Sequence, residues 1–192
     1  MESQEVSHTK TSKVSKKSKD VGIYMKTLIN KQVIMSILYV NKDIKNTLED
    51  MIKSEIEGKC IVEGFIKNNS SKIITYSSGS ISGANIIFEV VFECLVASPV
   101  EGMYIDCIAK NITKAGIRAE IDDSPSPVVI FIARDHHYMS KHFSNIKEGD
   151  NIRVKVIGQR FELNDKYISV IAILVEKKKE INKKPRLIIS SS

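Results

Sequence analysis

No apolar run in this chain approaches the length of a membrane span. The opening stretch, MESQEVSHTKTSKVSKKSKD, lacks the apolar core of a secretory signal. Cysteine is scarce. Cys60, Cys94 and Cys107 are odd in number and lack metal-ligand spacing, which points to reduced intracellular thiols. There is no glycine-rich phosphate loop, no nucleophile elbow and no paired-carboxylate motif, so no catalytic residues, cofactor or metal are expected. His136-His137, with Asp135 and His142 nearby, make a poor metal site. Neighbouring histidines on a strand point to opposite sides, and no second cluster supplies a carboxylate or thiolate.

The middle of the chain also lacks an excess of either charge. The net charge is +6 over 192 residues, and all of it falls at the ends. Residues 1–20 contribute +2, residues 176–192 contribute +4, and residues 21–175 sum to zero. The basic ends could meet a polyanion or simply keep the protein soluble. Both are too poor in apolar residues to offset chain entropy and are expected to be disordered tails. Leu187-Ile188-Ile189 is a thin apolar island in the second.

What is present begins near Ile23. IYMKTLI and QVIMSILYV, separated by Asn30-Lys31, read as two strands or a hairpin. A helix comes next, with Ile44, Leu48, Met51, Ile52 and Ile56 on one face. Asp43 is its expected N-cap, Glu49 and Lys53 an i, i+4 pair on the wet face, and Gly58 its left-handed stop. Cys60 to Lys67 reads as a strand, NNSS as a turn, SKIITYSSG as a short strand and SISGAN as a loop. NIIFEVVFECLV is the longest strand. It sets Phe88, Val90, Phe92, Cys94 and Val96 on one face and Glu89 and Glu93 on the other. These elements predict an α+β domain over residues 21–98, a curved antiparallel sheet covered by one helix.

Pro99 cannot donate to a ladder and separates that domain from a second one. Five β-like segments make up the second: Met103–Asn111, Gly116–Ile121, Val128–Arg134, Ile152–Phe161 and Tyr167–Val175. One long connection, DHHYMSKHFSNIKEGD, comes after the third, and Leu163 to Lys166 marks a tight hairpin between the last two. Five short strands with that spacing predict an all-β OB-type barrel over residues 99–175. Asp122-Asp123, beside Ser124-Pro125-Ser126-Pro127, reads as a solvated loop.

Glu101-Gly102, Gly116, Phe131-Ile132, Gly149-Asp150, and Val154 and Val156 set opposite Ile168 resemble an S1 RNA-binding domain. The preceding half is more specific. A two-stranded start, a helix, Glu57-Gly58-Lys59-Cys60, a strand ending Gly64-Phe65-Ile66, and FEVVFECLVASPVEG running directly into the barrel resemble the stalk subunit of multisubunit DNA-dependent RNA polymerases. This is the family of the seventh subunit of RNA polymerase II and its archaeal counterpart. The abundance of Ile, Lys and Asn, together with the chain's size, resembles versions carried by large DNA viruses.

The resemblance implies a noncatalytic role in transcription. It implies that a tip loop, Glu57, Gly58, Lys59 and Cys60 with the 78–84 loop, docks on the polymerase core. It implies a smaller fourth-subunit-like partner, contact of the barrel with nascent RNA, and no membrane. The location would be intracellular: the nucleus for a cellular version, the host cytoplasm or virion for a viral one. The S1 stacking positions are depleted, with Ala115, Arg118 and Ala133 where aromatics or histidine are common in the family. The remaining RNA-binding candidates are Lys110, Lys114, Arg118, Arg134, His136, Tyr138, Lys155 and Arg160, with His137 beside them. The alternative is an S1 RNA-binding protein of translation or RNA decay.

Overall fold

The computed structural model describes residues 22–40 and 42–175. Both expected basic tails, 1–20 and 176–192, lie outside the described residues.

An antiparallel sheet comes first, built on one strand. β1 (Tyr24–Ser36), helix α1 (Ile44–Ile56), β2 (Cys60–Ile61), β3 (Gly64–Ile66), β4 (Lys72–Tyr76), β5 (Ser80–Ser82) and β6 (Asn85–Ala97) follow in order. β6 is the spine. β1 pairs along its whole length on one edge, and β5, β4 and β3 share the other.

Three expectations change here. Asn30-Lys31 does not divide the first run, because unbroken pairing of Tyr24–Ser36 against Asn85–Ala97 overrides the local turn signal. Cys60 to Lys67 is not one strand but a tight β2–β3 hairpin turning at Val62-Glu63. The SISGAN stretch is not an open loop, since Ser80–Ser82 pairs back onto β6.

α1 buries Leu48, Ile52 and Ile56 against Ile29, Val33, Met35, Phe88, Val90, Phe92 and Cys94. Each such side chain contributes about 1.5–3 kcal/mol of transfer free energy. Asp43 stands at the N-cap, where its backbone carbonyl receives the Thr47 N–H. Glu49 pairs with Lys53 at 2.7 Å. It also accepts from the Ile73 N–H at 3.4 Å, so the pair ties helix to sheet rather than lying wholly on a wet face. The Lys53 hydrogen bond holds the Glu49 carboxyl below its usual range.

A closed barrel comes second, from β7 (Tyr104–Ile112), β8 (Gly116–Glu120), β9 (Val128–Ala133), β10 (Asn151–Arg160) and β11 (Ile168–Leu174). Around the barrel the order is β7, β8, β9, β11, β10, with β9 and β11 parallel. Val154 and Val156 face Leu174 and Ala172, while Ile168 faces Val128, which corrects the expected pairing. Alternation sends Val128, Ile130 and Ile132 into the core and Val129, Phe131 and Ala133 outward.

Two different plugs fill the barrel. Phe143, in the short helix α2 (Lys141–Ser144), and Ile146 just after it close one end. Ile23, Cys60, Phe65 and Ala97 from the first sheet belong to the same buried cluster at the other. His136 and His137 sit in a 3-10 turn (Arg134–His137), not on a strand.

Candidate interaction surfaces

The seam between the sheet and the barrel is closely bonded. Cys60 donates its N–H to Asp165 O, and Cys60 O receives the Asn164 N–H, both at 2.8 Å. Lys67 Nζ reaches Asp123 Oδ2 at 2.8 Å and lies 4.5 Å from the Tyr24 ring centre. Lys67 is the main reason the Asp123 carboxyl sits below its usual range, and the Tyr24 hydroxyl bonds it too. Burial first, then Asp123, raises the Tyr24 phenol well above its ordinary value. Asp123 is therefore a clamp between the two halves rather than part of a solvated loop.

Of the four residues expected at a tip, Cys60 lies at this seam and the other three are bonded within the sheet domain. Glu57 accepts the backbone N–H groups of Asn69, Ser70 and Ser71 at 2.8, 3.1 and 2.9 Å. Gly58 takes a φ of 70°, as a helix stop requires, and donates to Ile66 O. Lys59 Nζ caps the carbonyls of Ser54 and Glu55 at the end of α1. Cys60 is buried, and burial raises its thiol pKa to about 11. Burial likewise raises Cys94 to about 11 and Cys107 to about 12, so all three free thiols are held protonated.

The exposed apolar corner is elsewhere. After β1 the chain makes a 3-10 turn (Ile37–Tyr39), and Ile37 N–H donates to Ala84 O at 3.0 Å. That bond sets this turn beside the β5–β6 hairpin. Leu38 is 87 % exposed, Tyr39 69 % and Ile81 75 %, with Ile34 and Ile37 also open. This corner lies at the end of β1 and β6 remote from the barrel, since Tyr24 and Ala97 mark the seam end. The 78–84 loop belongs to it. The sequence carried a signal, four apolar residues (ILYV) running past the end of a strand, but they read as more strand.

On the barrel, the RNA-binding candidates divide. Arg134 Nε and Nη2 donate to the carbonyls of Lys114 and Thr113, pinning the β7–β8 turn, and the guanidinium lies 5.4 Å from the Phe143 ring centre. Lys114, Arg134, His136 and Tyr138 thereby gather at one rim, with Tyr138 widely exposed. His137 is structural. Its Nε2 accepts the Leu174 N–H at 3.0 Å, and its ring stacks on Phe143 at 5.1 Å. Burial, and secondarily His136, hold its pKa below the ordinary value.

Below the rim, Arg118 on β8 stands across from Phe131 on β9. Phe131 is 40 % exposed, and its ring leans over Gly116, where a Cβ would lie 3.0 Å from Cζ and against Ile132 O. The face thus keeps one aromatic that the depleted positions did not count, although alternation through VVIFIA already pointed it outward. Arg118 pairs with Glu120 at 2.8 Å and Arg160 with Glu162 at 3.0 Å. Such exposed pairs are worth about 0–1 kcal/mol and yield readily to phosphate. Lys110 lies apart, over a groove lined by Glu120, Asp122 and Asp123. Lys155 and Arg160 are on β10.

Among the described residues no helix is long and apolar enough to cross a membrane. No family model matches the chain. A protein of Acanthamoeba polyphaga mimivirus, provisionally named as a DNA-directed RNA polymerase subunit, is 27 % identical over 171 residues, covering 81 % of this chain and 83 % of its own length. The DNA-directed RNA polymerase II subunit RPB7 of Glycine max is 23 % identical over 148 residues, covering 66 % of this chain and 79 % of its own. In sequence the chain is similar to these RNA polymerase subunits, and its sheet with one helix followed by a closed five-stranded barrel is consistent with the arrangement expected of an RPB7-like stalk subunit.

Proposed function

We propose that this chain is a noncatalytic stalk subunit of a multisubunit DNA-directed RNA polymerase, acting inside the cell in transcription. It anchors through its sheet domain (21–98) and presents its barrel (99–175) to nascent RNA. The observation that carries this reading is the seam. Shared core residues, a two-bond backbone clasp at Cys60 and the Tyr24–Lys67–Asp123 clamp make the two halves one lever. An anchor at one end then fixes where the other end points.

The docking surface in this reading is the remote corner formed by Ile37, Leu38, Tyr39 and Ile81. Apolar burial drives most protein–protein association, and tyrosine is among the side chains that concentrate interface energy when buried in a partner's pocket. Residues 57–60 act instead as the internal brace, since their polar groups are engaged within the chain. The outer sheet face, with Leu28 and Ile34 exposed, is open for a fourth-subunit-like partner. RNA contact falls to Lys114, Arg118, Phe131, Arg134, His136 and Tyr138, through stacking and phosphate pairing, and should be weak, sequence-tolerant and salt-sensitive.

The test is affinity purification of the tagged chain at moderate salt. Large polymerase subunits are expected in the eluate. Ribosomes or exonuclease subunits in their place would establish the translation or decay reading and overturn this one. Crosslinking of nascent RNA in the purified complex tests the second half. Phe131→Ala with Arg118→Ala is expected to reduce it severalfold.

A further inference from the structure

Ordinary alternation on the barrel leaves further side chains facing outward, on β11, β10 and the start of β7, beyond the rim and the β8–β9 face. Phe131 on β9 stands beside Ile171 on β11, and Ile171 is 49 % exposed. The next outward residue on β11, half-buried Ile173, pairs with Lys155 on β10. Lys155 in turn pairs with Tyr104 on β7, which is 53 % exposed. The Arg153 guanidinium sits 5.9 Å from the Tyr104 ring centre. A path of outward side chains therefore leaves Phe131, crosses Ile171 and Ile173 on β11 and Lys155 on β10, and ends on a tyrosine flanked by the two cations Lys155 and Arg153.

The path has defined edges. Asp106, paired weakly to Arg153 at 3.6 Å, and Asp122 lie on its β7–β8 side, and Glu101 lies beside Lys155. Gly158, on β10 in register with Ile171, has open space where a Cβ would stand, so nothing interrupts the surface there. A ring with cations beside it, reached across exposed isoleucines and a lysine, fits a single-stranded polynucleotide. Bases stack on the ring, and phosphates meet Lys and Arg.

We propose that single-stranded RNA continues from Phe131 across Ile171 and Lys155 to stack on Tyr104, at the start of β7 where that strand pairs with β10. This extends the RNA reading above and rests on it. Along this path, across β11 and β10, three strand spacings separate β9 from β7, roughly 14 Å. A strand several nucleotides long is therefore needed to touch both rings.

The experiment uses the full chain with photo-crosslinkable oligouridines of about five and about fifteen nucleotides, within the site sizes of such barrels. Crosslinked peptides are identified by mass spectrometry and affinities are measured in parallel. The longer oligomer is expected to crosslink to peptides containing Phe131 and Tyr104. Tyr104→Ala is expected to weaken its binding about tenfold, with Tyr104→Phe restoring it because the stacking surface returns. Lys155→Glu should weaken it comparably and flatten its salt dependence.

Crosslinks confined to the Phe131 peptide, with Tyr104→Ala binding normally, would overturn the extension and leave the β8–β9 contact standing. Crosslinks to neither peptide would remove the RNA reading as well. Loss of a polymerase subunit from the complex on Tyr104→Ala, with RNA affinity unchanged, would reassign the path to a protein partner and overturn the proposal.

Discussion

Two corners of the sheet domain, residues 57–60 and 37–40, have opposite chemistry and opposite fates. At residues 57–60 a helix ends at a glycine, with charged neighbours that look ready for a partner. Those charges are turned inward, on the Asn69–Ser71 backbone and on the end of α1. At residues 37–40 a strand ends in bulky apolar residues of which Leu38 and Tyr39 lie largely exposed among the described residues. A charged loop can satisfy itself within its own chain. An exposed Leu38 cannot, so apolar exposure distinguishes a docking corner better than glycine or charge does.

The sharpest way to break this contrast is at the seam. Phe65 is buried where sheet and barrel share a core, and Phe65→Ala should cost about 3–5 kcal/mol. Chemical denaturation should then show two transitions in place of one. A single transition at unchanged midpoint would mean that the halves are not coupled through this residue.

The remote corner comes next. Leu38→Asp with Tyr39→Asp should reduce recovery of polymerase subunits at least tenfold, an interface loss of about 1.4 kcal/mol or more. The melting temperature should barely move, because neither side chain is buried. Intact recovery would return the docking role to another surface.

Glu57→Gln probes the brace. It keeps the shape but weakens three charge-assisted hydrogen bonds, so about 1–3 kcal/mol of stability should be lost, with co-purification unchanged under folding conditions. Loss of polymerase without loss of stability would make 57–60 a contact surface after all.

The smallest effect concerns the opposite plug of the barrel. His137 must be neutral to accept the Leu174 N–H, and its pKa is depressed in the folded protein. The unfolded chain therefore binds the proton more readily. The contribution is complete above about pH 6.5, the unperturbed value. It declines as pH falls below that towards the depressed folded value. Stability followed from pH 8 to pH 5 should show this slope in the wild type and lose it in His137→Phe. Asp123 makes a separate contribution, lost only as pH drops below the ordinary carboxylate range.

Much of the fold was legible because its signals are periodic. Ile44, Leu48, Ile52 and Ile56 repeat at helical spacing, and Val128, Ile130 and Ile132 alternate. Each pattern needs only one buried face to be correct. Legibility stopped where two distant segments had to meet. Asn30-Lys31 looks like a turn until β6 pairs across it. Val62-Glu63 looks like mid-strand until β2 folds back on β3. Asp123 looks solvated until Lys67 and Tyr24 arrive from the other half. Phe131 was partly readable: alternation turned it outward, but only the sheet order put Arg118 on one side and Ile171 on the other.

Residue pattern alone settled that this chain makes one amphipathic helix, a long two-faced strand and five short barrel strands, since hydrophobic spacing is a local property of the chain. Tertiary structure alone decided which loop is brace and which is open corner. That depends on where each polar group finds its partner, and those partners come from segments far away in sequence.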